Sequence, residues 1–266
     1  MEMDMTLVLP EDCISKIISF TSPQDACRLS LVSPIFKAAA DSDAVWEKFL
    51  PSDCEDIISQ SSSSSSSILD SLSKKNLYFH LCDHPVLISN DTMSFFIDKK
   101  SGKKCYMVGA KGLSIEWGDT PSYWKWTSLP DSRFPQVAEL IYVWWLEIKG
   151  NMETKLLSSH TIYEVFLVFK FAEFKSGFGD RPVELSVNSA GREAMEVKRV
   201  MLDPPADVPQ LSKQRGDGWL EIEMGEYFNE HGDDGSLVCK LWEFDGYVVM
   251  GGLVVEGIEF RPKVSG

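Results

Sequence analysis

The sequence predicts an α+β chain in two parts: a small N-terminal helical domain at residues 7–51, and an antiparallel β-sandwich of jelly-roll type at residues 76–266. A serine-rich linker at residues 52–75 joins them. Three observations predict this. Helix-start signals of the Ser-Pro kind recur within the first fifty residues. An unbroken serine run from Ser61 to Ser67 cannot pack a core. From Met93 onward, short apolar segments alternate with turn residues, and little helical periodicity lies between them.

Composition sets the bounds. The chain has 266 residues, 44% hydrophobic and 25% charged, as in an ordinary soluble globular protein with ample length for a core. No run approaches the roughly 18 apolar residues of a membrane span, so membrane insertion is not expected. A net charge of −14 argues against a nucleic-acid partner, because phosphate contacts demand clustered Lys and Arg. The six cysteines are scattered without a C-x-x-C pair, which predicts reduced thiols rather than a disulfide framework. His80 and His84 bracket Cys82 and Asp83, but no second ligand cluster completes a tetrahedron, and no metal or other cofactor is expected. The opening MEMDMTLVLPED is acidic and lacks the basic-then-apolar order of a secretion signal. Residence in the nucleus and cytoplasm is the expectation.

The helical elements follow in order. Leu9-Pro10 opens the first, with Ile14, Ile17 and Ile18 at helical spacing. Ser22-Pro23-Gln24-Asp25 is a restart: Ser22 caps, Pro23 suits the first turn, and Asp25 lies at the positive end of the helix dipole. Ala26, Leu29 and Val32 then form an apolar stripe. Ser33-Pro34 repeats the signal ahead of Ile35, Phe36 and Ala39. Asp43 leads a last piece with Val45, Trp46 and Phe49, stopped by Pro51. A unit this small has apolar residues to offer a partner, or caps the next domain.

LPEDCISKIISFTSPQDACRLSLVSPIFKAAADSDAVWEKFLP resembles an F-box of the plant type across the whole motif. That resemblance implies docking onto the Skp-type adaptor, and through it the cullin, of an SCF-type ubiquitin ligase. It places Leu9, Pro10, Ile14, Ile17, Pro23 and Val32 in the adaptor interface. After the serine run, Ile68 to Leu81 carries Leu69, Leu72, Leu77 and Leu81, read as a helix or two opening the second domain.

Strands come next. FFID, CYMVG and LSIEW are short pieces, and Val137–Lys149 and Thr161–Phe174 read as the strongest strands. In the latter, apolar residues occupy both faces, which suits a central strand. Segments at 183–187, 196–201, 218–224, 237–243 and 253–260 complete the β-rich part. Within Leu113–Trp126 (LSIEWGDTPSYWKW), Trp117, Tyr123, Trp124 and Trp126 crowd around a Gly-Asp-Thr-Pro turn, which sets Trp117 and Trp124 at opposite edges of one loop. Large aromatics are mostly buried, so core packing is the first reading of these rings.

The succession LSIEWGDTPSYWKW, VAELIYVWWLEIKGNMETKLLSSHTIYEVFLVFKF, DGWLEIEMGEYFNEHGDDGSLVCKLWEFDG and LVVEGIEFRP resembles the phloem protein 2 (Nictaba-like) type of lectin domain over roughly residues 104–262. This implies binding of N-acetylglucosamine-containing glycans or glycoproteins, with Trp117 and Trp124 as the sugar platform. A pyranose presents C–H groups to an indole, and its rim hydroxyls need partners such as carboxylates. On the same resemblance Glu243 matches an acceptor position. Ser236 stands where the family has a second carboxylate, so one charge-assisted bond is given up and weaker binding, or a different glycan, is expected.

Other residues read as structural. Trp126 either extends the platform or turns into the core; Trp144, Trp145 and Trp219 read as packing, and Glu226 and Tyr227 as a solvated strand end. Glu221 with Glu223, and Asp233 with Asp234, are carboxylate pairs, but no nucleophile or metalloprotease motif accompanies them or His160, so no catalysis is expected. The sequence therefore predicts a non-catalytic adaptor in which the F-box tethers and the lectin domain captures. Two alternatives stand beside it: a β-domain that reads a protein partner without glycan, and a lectin with a vestigial F-box.

Overall fold

The computed structural model describes residues 9–61, 69, 71–190, 196–232 and 235–263. Most of the serine run, part of the 68–81 segment and the Asp233-Asp234 pair lie outside the described residues. The chain divides into two compact units, one formed by residues 1–89 and 95–104, the other by 90–94 and 105–266.

In the first unit, α1 (Glu11–Ile18), α2 (Pro23–Leu29), α3 (Pro34–Asp41) and α4 (Asp43–Phe49) form where the start signals lie. Ser22 accepts from the Asp25 amide, Ser33 from Phe36 and Ser42 from Ala44, which satisfies amides that the first turns leave unpaired. Ile14, Ile18, Ala26, Ala39 and Val45 make the core, closed by fully buried Trp46, whose indole N–H donates to the Ala40 carbonyl at 2.7 Å. Two more helices, α5 (Cys54–Ser59) and α6 (Lys74–Asp83), supply apolar surface that the first four lack. Tyr78 and Phe79 of α6 lie with ring centroids each 5.2 Å from Trp46. α6, whose residues up to Leu81 were expected to open the second domain, thus completes the helical core, because Trp46 needs aromatic cover that α1–α4 do not provide. Strands β1 (Val86–Ile88) and β2 (Met93–Ile97) follow.

The second unit is antiparallel throughout its described pairings. Its first sheet runs β3 (Lys104–Gly109), β14 (Gly251–Pro262), β8 (Thr161–Ser176), β12 (Leu220–Asn229) and β11 (Lys213–Gln214), with β6 (Val137–Leu140) against β14 and β5 (Trp124–Thr127) against β6. The second runs β10 (Lys198–Val200), β9 (Val183–Ser189), β13 (Ser236–Glu243), β7 (Leu146–Glu153) and β4 (Ser114–Ile115). The sheets meet closely: a Cβ on Gly150 of β7 would fall 2.9 Å from Ile258 of β14. β8 is central and covered on both faces from Val165 to Phe169, as its two-sided apolar pattern predicts.

One expectation fails. VAELIYVWWLEIK is not a single strand. β6 belongs to the first sheet and β7 to the second, and Ile141–Trp145 carries the chain across, tied by a Val143–Met250 bridge and by the Ile141 amide, which donates to the Tyr123 carbonyl at 2.8 Å. A run apolar at nearly every position has no alternation to mark such a crossing.

The outer face of β14 is covered by the 128–136 loop and the 213–218 turn, and carboxylates hold this cover. Buried Glu259 meets Arg133 at 3.2 Å, Arg215 at 3.3 Å and Arg261 at 3.4 Å. Buried Glu256 accepts from the Arg133 amide at 2.7 Å and the Ser132 hydroxyl at 3.1 Å. Burial pushes the Glu256 carboxyl above its ordinary value of 4.5, against those hydrogen bonds. A carboxyl whose folded value is raised favours folding below the ordinary value and withdraws that contribution as pH rises through the raised one. Glu256→Gln should therefore gain stability relative to the native chain as pH rises above 4.5. Urea melts across that range check it, and a difference independent of pH would remove the titration from the account.

Candidate functional site

The site grows from the turn that follows β4. Trp117 sits in the left-handed region at φ 56°, a conformation uncommon for a bulky residue. The Thr120 amide donates to the Trp117 carbonyl at 2.8 Å, and the Trp124 amide to Thr120 at 3.1 Å, which winds the segment tightly into β5. Trp124 is the first residue of β5, opposite Leu140, and only 2% exposed; its indole N–H donates to the Glu116 carbonyl at 3.1 Å. The expected loop-edge platform at Trp124 is thus corrected to a packing residue, because strand pairing carries this ring inward. Trp126 likewise donates to the Gly118 carbonyl at 2.9 Å, with the Lys111 ammonium 3.6 Å from its ring centre. Two indoles fasten the turn, and Trp117 is left at its rim, half-buried.

Trp117 does not stand alone. Its ring lies 4.3 Å from Trp145 and 5.5 Å from Tyr123; Tyr123 lies 5.5 Å from Tyr142, and Trp145 5.4 Å from Phe244. Tyr123 and Tyr142 adjoin the first sheet, while Trp117, Trp145 and Phe244 adjoin the second, so the row of rings crosses one end of the sandwich. Trp144, expected to pack, is 54% exposed, and Tyr247 is exposed as well. Such a continuous aromatic surface marks an interaction site.

Phe244 also walls a cavity of about 180 Å³ with Pro182 and Trp242. Its polar lining comes in pairs: Arg181 with Asp245, and Arg199 with Glu184 at 3.4 Å. Glu243 is buried and lines the cavity, and its carboxylate accepts the Asp245 amide at 2.8 Å. Ser236 begins β13 and Glu243 ends it, which separates them by about 24 Å along the strand. The two therefore do not meet in one site. Sequence reasoning missed Tyr142, Trp145 and Phe244. The available signal was the unalternating IYVWW, where a strand with one buried face would have shown polar residues.

Elsewhere on the β-unit, Glu221 is held by Arg215 and Arg261, and Glu223 by Lys198 at 2.6 Å, which removes both from service as a free acid–base pair. Glu226 and Tyr227 border a separate groove of about 340 Å³ with Phe228, Asn188 and Lys198. Glu226 pairs with Lys263 and raises that ammonium's affinity for its proton. Trp219 is buried, as expected, and donates to the Asp131 carbonyl at 2.8 Å. His80 and His84 stack at 4.6 Å, and among the described residues no group of three or more ligating side chains is poised for a metal.

On the helical unit, Ile17 is 56% and Val32 63% exposed, and Pro10 is exposed beside half-buried Leu9. Ile14 and Pro23 are buried, which corrects their expected place in an interface. Ile14 shares its α1 face with Ile18, and Pro23 packs at the first turn of α2. Phe20, Leu31 and Ile35, which the sequence did not assign to an interface, are exposed large apolar residues of the same unit.

Comparison with known proteins agrees with this division. The F-box domain profile matches residues 7–48, and the phloem protein 2 profile residues 103–262. The putative F-box protein PP2-B12 of Arabidopsis thaliana is 45% identical, over 97% of this chain and 98% of that protein. F-box protein At2g02240 of the same plant is 43% identical over 97% and 80%. F-box protein VBF is 40% identical over 97% and 99%. Likeness to solved structures is weak, as with a GH26-CBM35 mannanase of Podospora anserina at TM-score 0.37 and 8% identity, covering 61% of this chain and 28% of that one. The chain belongs to the plant F-box proteins that carry a phloem protein 2 domain.

Proposed function

We propose that the chain is the client-recognition subunit of an SCF-type ubiquitin ligase, acting in the nucleus and cytoplasm. The helical unit docks the Skp-type adaptor, and through it the cullin. The β-unit holds a client by an N-acetylglucosamine-containing glycan laid on Trp117, Trp145 and Phe244. The observation that carries this reading is a pair of uncovered apolar surfaces, one on each unit. Ile17, Phe20, Leu31 and Val32 are large, apolar and exposed on a helical unit small enough to need a partner. The ring row offers flat apolar area beside a cavity whose donors and acceptors come in matched pairs, which suits hydroxyls and amides. No bond is made or broken by this chain; it raises the local concentration of the client at the ligase.

Adaptor capture and sugar binding are expected to separate. The double variant Ile17→Asp, Val32→Asp places charges at exposed positions and should lower adaptor affinity roughly 100-fold, about 2.7 kcal/mol. Co-purification with the adaptor, together with the thermal shift given by tri-N-acetylchitotriose, measures both. Loss of both activities in a chain of unchanged melting temperature would defeat the modular reading.

A second reading draws on Trp144 and Tyr247, exposed outside the ring row: the β-unit reads a protein surface, with these rings as hot spots. Free sugar then leaves tryptophan fluorescence unchanged.

A further inference from the structure

We propose that the cavity behind Phe244 takes the 2-acetamido group of the glycan, which makes Arg181 and Arg199 the residues that select N-acetylated over plain sugars. The proposal rests on the glycan reading above and deepens it.

Size comes first. At about 180 Å³ the cavity is smaller than the roughly 300 Å³ at which pockets begin to enclose whole small-molecule ligands, so it accepts a substituent while the sugar ring stays outside. Position comes second. Phe244 belongs both to the ring row, 5.4 Å from Trp145, and to the cavity wall. On this proposal a pyranose stacked on Trp145 reaches the opening across the Phe244 ring, which the row and the cavity share.

Chemistry comes third. An acetamido group has a carbonyl acceptor, one N–H donor and a methyl. Arg181 and Arg199 supply guanidinium donors, Asp245 and Glu184 supply carboxylate acceptors, and Pro182, Trp242 and Phe244 supply apolar wall. Glu243 lines the cavity as well; one of its oxygens accepts the Asp245 amide, and a carboxylate has acceptor capacity beyond that one bond for an acetamido N–H. Because each guanidinium faces a carboxylate, a free ammonium would meet the arginines as like charges, and a free carboxylate would meet Asp245 and Glu184. A neutral group with both a donor and an acceptor satisfies both sides. A hydroxyl also does so, but leaves the apolar wall uncovered.

Arg199 has a side chain 69% exposed, so its truncation leaves the fold in place. The test is tryptophan-fluorescence titration of the full chain with tri-N-acetylchitotriose, its fully deacetylated counterpart and cellotriose. The native chain should bind the acetylated triose at least tenfold tighter than either other, about the effect of one charge-assisted hydrogen bond. Arg199→Ala and Arg181→Ala should each narrow that ratio below threefold. Trp145→Ala should weaken all three sugars with the ratio kept, which a merely structural role for the arginines would not reproduce. A ratio unchanged in both arginine variants overturns the cavity assignment and leaves the glycan reading standing. Preference for the deacetylated triose overturns it too. Absence of binding to every triose by the native chain removes the glycan reading, and the assignment with it.

Discussion

Trp124→Ala is expected to destabilise the chain by about 3–5 kcal/mol, the usual cost of emptying a large aromatic site in a core. The ring is 2% exposed, and its N–H ties β5 to the turn that carries Trp117. Sugar binding should fall with it, but as a consequence of a loosened turn. Trp145→Ala, in contrast, should weaken sugar binding at least tenfold while moving the urea midpoint little. Equilibrium unfolding measured beside sugar titration separates the two effects. A stable Trp124→Ala chain that had lost sugar binding would return that indole to the platform.

The second large effect lies on the far side of the first sheet. Glu259→Ala should cost about 3–5 kcal/mol, because it removes the buried carboxylate on which three guanidiniums converge, breaking its ion pair with Arg133 and leaving Arg215 and Arg261 sharing Glu221. Lys125→Ala breaks an exposed pair with Glu139 at 3.4 Å and should change stability by less than about 1 kcal/mol. If urea melts gave the two variants similar losses, burial would not be what gives the Glu259 network its strength.

Local chemistry was legible in the sequence wherever one residue decides the outcome. The Ser22 and Ser33 caps are where their Ser-Pro signals put them, since capping depends on a side chain and an amide three residues on. β8 shows two apolar faces, and both are covered. What resisted reading depends on chain direction beyond one element. Nothing in VAELIYVWWLEIK announces a change of sheet. Trp124 and Trp117 have the same residue type and nearly the same neighbours; only pairing with β6 drives one inward. Only the family resemblance brings Ser236 and Glu243 together, and on an extended strand their seven positions hold them about 24 Å apart. Ile14 and Ile17 lie three residues apart, only about 60° around the helix, and that is enough to put one inside and the other outside.

The crossing at Ile141–Trp145 has a further consequence. A saccharide laid along the row from Tyr142 to Phe244 touches groups anchored in both sheets, so it acts as a rivet through the edge of the sandwich. Parting the layers then first requires shedding the cargo. On the proposed function, the occupied chain is therefore expected to resist proteases longer than the empty one.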